Sequence, residues 1–143
     1  MMLVQLARAQ SAAEADQYQV VDHVLNAVYL TAPSVPAASV ALAALTGDIS
    51  DAARQAFTDL LLSLAAGEGQ ALDPALAGRD LVAECHAAIR KGLWVLYAQV
   101  LRPTSVDAAS NAFETLSLVE EDEDRLDRVR EVAAENLRWD LRK

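Results

Sequence analysis

The sequence predicts an all-α fold: a short, right-handed array of antiparallel helical pairs, with six or seven helices in one domain. Three observations carry this. The chain of 143 residues is 53% apolar but only 5% aromatic, so Ala, Leu and Val form its core, a mix that suits closely packed helices. Apolar residues recur at i, i+3, i+4 and i+7, and no segment sustains strand alternation. The segment Ser34-Val35-Pro36-Ala37-Ala38-Ser39-Val40-Ala41-Leu42-Ala43-Ala44-Leu45 returns 71 residues later as Ser105-Val106-Asp107-Ala108-Ala109-Ser110-Asn111-Ala112-Phe113-Glu114-Thr115-Leu116, identical at seven of twelve positions. A fixed-spacing echo is the signature of a repeat architecture, and half of that spacing is close to the period of about 33–47 residues of helical-pair repeats.

Along the chain, Ser11-Ala12-Ala13-Glu14 reads as a capping box. Behind it Tyr18, Val21, Leu25, Val28 and Tyr29 lie at helical spacing, predicting a first helix over 12–30 with both tyrosines on its core face. Pro33 and Pro36 break the chain; Ser34 is the expected N-cap of a helix that Gly47 ends. Ser50 caps the next, whose stripe is Ala53, Ala56, Phe57, Leu60, Leu61 and Leu64, with Leu62 off it. The stretch from Gly67 to Gly78 is the expected flexible loop. From Asp80 to Leu101 the pattern predicts one long helix. Its first half is amphipathic, with Leu81, Cys85, Ala88 and Ile89 inward, and its second half is apolar all round and belongs at the centre of the fold. Gly92, where the character changes, marks a kink or a close helix contact. Thr104 or Ser105 caps the following helix, with Val106, Ala109, Phe113 and Leu116 inward. The acidic run 120–124 opens the last helix, over 122–141, as the macrodipole favours. Its stripe is Leu126, Val129, Ala133, Leu137 and Leu141, and Arg138, Arg142 and Lys143 close it.

The echo divides the chain into a capping region, 1–30, and repeat-like units 31–66, 67–104 and 105–143. Val40, Ala43 and Ala44 in the first copy stand against Asn111, Glu114 and Thr115 in the second. The first copy is therefore expected to be the more enclosed, and Asn111 and Glu114 to face solvent. The stretch 24–36, then Ala52-Ala53-Arg54 and Leu60-Leu61-Leu62-Ser63-Leu64-Ala65, then Ala87-Ala88-Ile89-Arg90-Lys91-Gly92-Leu93-Trp94-Val95-Leu96, resembles small bacterial HEAT-like repeat proteins. In these a Tyr precedes an Ala/Pro-rich joint and a Pro-started helix, and a Leu-rich helix runs into a Gly-rich loop. The resemblance covers about 24–118, and Asp107 stands where such repeats often carry Arg. It implies a non-enzymatic binding solenoid, and some members resemble immunity or antitoxin proteins encoded beside bacterial toxins.

The charge gives the partner class. The net charge is −9, and between Ala9 and Gly78 Arg54 is the only base against eight acids. Such a surface repels nucleic acid and anionic lipid, and either steers a basic protein towards it or serves solubility alone. No run is long and apolar enough to span a membrane. The first nine residues lack the basic n-region of a signal peptide, and the lone Cys85 excludes an internal disulfide and suits a reducing cytoplasm.

No residue pattern carries catalysis or a cofactor. Cys85 and His86 are adjacent and point about 100° apart on a helix, so they cannot chelate together, and Cys85 reads as a small core hydrophobe. His23 and His86 stand alone, whereas a metal site needs three or four converging ligands, and Glu84 and His86 lack the Glu-x-x-His spacing of di-iron bundles. The acidic run lacks the glycine and alternation of a calcium loop and reads as a solvated helix start. Gly67-Glu68-Gly69 carries its own negative charge and is no phosphate cradle, and two unrelated histidines make no triad. Trp94 and Tyr97 read as core, with an exposed partner anchor as the alternative. The expected function is therefore protein binding: an immunity protein that masks a cognate toxin's basic cleft with an acidic face, the alternatives being a scaffold or secretion adaptor and, behind both, a small-molecule enzyme. Asp51, Asp59, Asp80 and Glu84 start or flank the second helices of successive units, which line the inner face in solenoids, and are the expected partner-binding residues.

Overall fold

A computed structural model describes residues 2–26, 28–69 and 74–143. Among them the protein is mostly helical, with one two-residue β-hairpin. The chain opens with three short helices, α1 (Met2–Arg8), α2 (Ala12–Asp16) and α3 (Val20–Val24), followed by the hairpin β1 (Leu25–Asn26) and β2 (Tyr29–Leu30). Six longer helices follow: α4 (Ser34–Leu45), α5 (Asp51–Ala65), α6 (Leu81–Arg90), α7 (Leu93–Leu101), α8 (Val106–Val119) and α9 (Glu123–Val132).

The first helix predicted over 12–30 does not form as one piece. Ser11 caps α2 through the amide of Glu14, while the Glu14 carboxylate accepts from the amide of Gln10 at 2.7 Å, one residue before the cap. The helix then stops, and Gln19 adopts left-handed backbone angles at φ 38° before α3 begins. The second interruption has a clear cause. Thr31 and Ser34 both donate their hydroxyls to the carbonyl of Val24, which terminates α3, and the backbone of Glu68 pairs with Val28 and Leu30. This stretch is rich in β-branched valine, which tolerates extended backbone well. Tyr18 therefore lies in the turn after α2 and Tyr29 in β2, and they share no helix face.

In α4, Ser34 is the first helical residue rather than the cap; Pro33 takes that position without a side-chain bond. Small Ala37, Ala38 and Ala41 are buried and let α4 lie close to both α5 and α6. In α5 the expected stripe is inward: Ala53, Phe57, Leu60, Leu61 and Leu64 are fully buried and Ala56 is half-buried. Ser50 caps α5 through the amide of Ala53 and also donates to the carbonyl of Ala9, tying the N-terminal segment to the helix start. The expected flexible loop, Gly67 to Gly78, lies partly outside the described residues; its described part begins with the Glu68 pairing.

The single helix predicted from Asp80 to Leu101 is two helices. A Cβ on Gly92 would come within 2.7 Å of the buried Leu42 side chain, so at this point α4 and the α6–α7 joint meet more closely than any other residue allows. The joint redirects the chain. α6 buries Leu81, Cys85, Ala88 and Ile89 as its pattern predicts, whereas α7 buries only Leu96, Tyr97, Gln99 and Val100. The apolar second half is thus one-sided, with Trp94 72% and Leu101 45% exposed.

Ser105 caps α8, but Val106 points outward. The last helix stops at Val132, and two 3₁₀ turns, Ala134–Asn136 and Trp139–Leu141, carry the rest of its stripe. Ala133 and Leu137 are buried all the same, because these turns fold back over the core and Arg138 donates its amide to the buried hydroxyl of Ser110. Arg138, Arg142 and Lys143 therefore do not cap a helix end.

The two echo segments are not equivalent. In the first copy Val40 and Ala43 are exposed, while in the second Asn111 and Thr115 are buried and Glu114 is half-buried against Arg138. The second copy is the more enclosed, the reverse of the sequence expectation. The reason is its neighbours. α8 packs extensively on α5 on one side and α7 on another. Residues 31–66 and 105–143 thus touch directly through α5 and α8, where Ser105 donates to Gln55 at 3.0 Å, whereas the repeats of a linear array contact only their neighbours in sequence. The pair α4–α5 packs along its length, as does α4 against α6.

Candidate protein-docking face

α9 lies alongside α7 and runs in the same sense. Near their starts the Arg125 guanidinium sits 5.4 Å from the centre of the Trp94 ring. Asn136, in the 3₁₀ turn after α9, donates to the carbonyl of Val100 near the end of α7 at 3.0 Å. Trp94, Ala98 and Leu101, at i, i+4 and i+7, form an outward ridge on α7; on α9 Val132 is exposed while Val129 packs against the core. Trp94, Leu101 and Val132 are exposed, Val132 to 78%.

The Trp94 ring is held in place. It tilts against the Tyr97 ring at 5.7 Å, and the Tyr97 hydroxyl donates to Glu120 at 2.6 Å. The Glu120 side chain is only 4% exposed. Burial would raise its carboxyl, but Tyr97, the amides of Asp122 and Glu121, and the Arg125 guanidinium all bond it and hold it below the usual carboxylate range. Burial, helped by the same Glu120 bond, pushes the Tyr97 phenol up. The acidic run thus contains one buried, fully bonded carboxylate instead of being solvated throughout. Asp122 caps α9 through the amide of Arg125; Glu123 and Asp124 are exposed, and Glu121 pairs with Arg90 at 3.3 Å. From 120 to 135 eight acids stand against three arginines, a net −5. The face is an exposed, braced aromatic whose Arg125 brace adjoins the acidic run.

The four acidic residues expected at an interface are dispersed. Asp80 caps α6 by accepting from the amide of Ala83 at 2.9 Å. Glu84 is ion-paired with Arg79, and that hydrogen bond holds its carboxyl below the usual range. Asp51 is exposed at the start of α5. Asp59, eight residues on, lies on the wall of a groove formed with α1–α3, and burial raises its carboxyl. The structure gives Asp80 and Glu84 local partners and leaves Asp51 and Asp59 without a hydrogen bond or ion pair among the described residues.

The other candidate groups have structural surroundings. Cys85 is buried, and burial pushes its thiol up to about 11, leaving it protonated and unreactive at neutral pH. The His86 imidazole bonds the carbonyl of Ala65 at 2.8 Å, and His23 is exposed. Among the described residues no group of three or more His, Cys, Asp or Glu side chains is placed to hold a metal ion. No described helix is long and apolar enough to cross a membrane. Arg54 extends inward, donating to the carbonyls of Leu45 and Gly47 at the end of α4 and to Gln99 on α7. Its charge meets the negative end of the α4 dipole and leaves the acidic surface unneutralised.

Sequence reasoning missed the pairing of Trp94 with Arg125 and the burial of Glu120. Only the apolar i, i+4, i+7 spacing of Trp94, Ala98 and Leu101 signalled a ridge, and such a spacing does not say whether the ridge faces core or solvent.

Comparison of the chain with protein-family models, with curated proteins and with solved structures found no match.

Proposed function

We propose that this chain is a non-enzymatic protein-binding module that docks a basic partner, the first candidate being a bacterial toxin that it masks as an immunity protein. The observation that carries this reading is the exposed Trp94 ring, braced by Tyr97 and by Arg125, the residue that directly follows the acidic run 120–124. Interface energy concentrates in such aromatic anchors. Holding the ring in place beforehand lowers the entropy cost of binding. The acidic run and the net charge of −9 steer and orient a basic partner. The scaffold is a helical-pair stack of HEAT-like kind over α4–α6 that α8 closes, in a reducing cytoplasm.

The test starts from the partner captured in the native host and purified. Trp94→Ala is expected to weaken binding at least about 30-fold, the loss of a hot-spot anchor, without changing the unfolding midpoint. Raising salt is expected to slow association. Wild-type affinity in Trp94→Ala would remove this face as the interface. Co-expression then separates immunity from an adaptor role: an immunity protein rescues growth from its partner's toxicity, and an adaptor does not.

A further inference from the structure

A second site lies away from the Trp94 face, in the groove where α1, α2 and α3 cross α5. Its volume is about 590 Å³, within the range of small-molecule sites, about 300–1,000 Å³. Leu6, Ala15, Ala56 and Leu60 give it apolar walls, and Asp16 of α2 and Asp59 of α5 line it together with Gln19 and Gln55. Neither carboxylate has a hydrogen bond or ion pair among the described residues. Arg8, the base of α1, does not line it, and Arg54, the one base of α5, is turned towards the end of α4. The walls offer no aromatic ring to cage a quaternary or planar cation. They offer small, aliphatic surfaces against which a methylene chain can lie.

We propose that this groove binds an aliphatic diamine or polyamine, a linear methylene chain with ammonium groups that meet Asp16 and Asp59 while the chain covers the apolar walls. The chemistry follows from charge complementarity: two uncompensated carboxylates flank an apolar channel that carries no cation of its own. The site shares no residue with the Trp94 face, so it stands or falls independently of the protein-docking reading.

The experiment is a titration of the full chain, labelled with ¹⁵N, with 1,5-diaminopentane and with spermidine at constant ionic strength; 1-pentanol and sodium chloride serve as controls. Saturable shifts are expected at the amides of Ala15, Ala52, Ala56 and Leu60. Asp59→Asn and Asp16→Asn, each checked for a wild-type spectrum, are expected to raise the Kd at least fivefold apiece, and Trp94→Ala to leave it unchanged. Equal response to pentanol, shifts no larger than those from salt, or an unchanged Kd in both Asn variants would overturn the proposal.

Discussion

Glu120 shows how one residue can join stability to a surface feature. Its carboxylate accepts from Tyr97, two backbone amides and Arg125, and its pKa is lowered in the folded state. A lowered folded pKa means that the unfolded chain binds the proton more readily, so folding stability rises with pH through this group. The contribution is fully present above the unfolded carboxyl value of about 4.3 and is lost as pH falls through the lower folded value. Denaturant unfolding from pH 7 to 3 is therefore expected to show a steeper loss of stability in the wild type than in Glu120→Gln below about pH 5. Equal slopes would show that the network does not hold the carboxylate ionised. Tyr97 and Trp94 lean on this same network, so protonating Glu120 also loosens the braced ring. None of this was legible in the sequence, where five consecutive acids look alike. Only the return of the chain from α8 onto Tyr97 singles out the first of them.

At the scale of elements, caps and stripes were readable because they are local. Ser11, Ser50, Asp80, Ser105 and Asp122 all accept from the amide three residues ahead, and the inward residues of α5 and α6 follow their 3.6-residue pattern. Lengths were less readable. Helices end where a tertiary partner takes over a backbone group, as Thr31 and Ser34 do at Val24, or where two elements meet, as Leu42 and Gly92 do. That contact gives a prediction. Gly92→Ala places a methyl against Leu42 and is expected to cost about 1–3 kcal/mol, the usual cost of overpacking. Leu42→Ala in the same chain is expected to recover part of it, seen as a coupling energy in a double-mutant cycle by urea unfolding. Additive losses would mean that Gly92 serves the α6–α7 joint by backbone conformation alone.

For the whole molecule, the packing of α5 on α8 makes the chain one cooperative unit. Removing residues 105–143 would uncover the face of α5 that packs on α8. The truncated chain is expected to lose its helical circular dichroism, whereas a linear array loses one terminal unit and keeps the rest. A folded, shorter chain with a sharp melting transition would favour the array. The sequence by itself determined the all-α class, the Ser11, Ser50 and Ser105 caps, the inward stripes of α5 and α6 and the acidic charge, since each is set by neighbours within one or two helical turns. The tertiary structure alone decided where helices break, which echo copy is enclosed, and that Trp94 faces solvent over Arg125. Those outcomes rest on contacts between residues far apart in the chain, and an apolar stripe specifies that a face is buried or available without naming its partner.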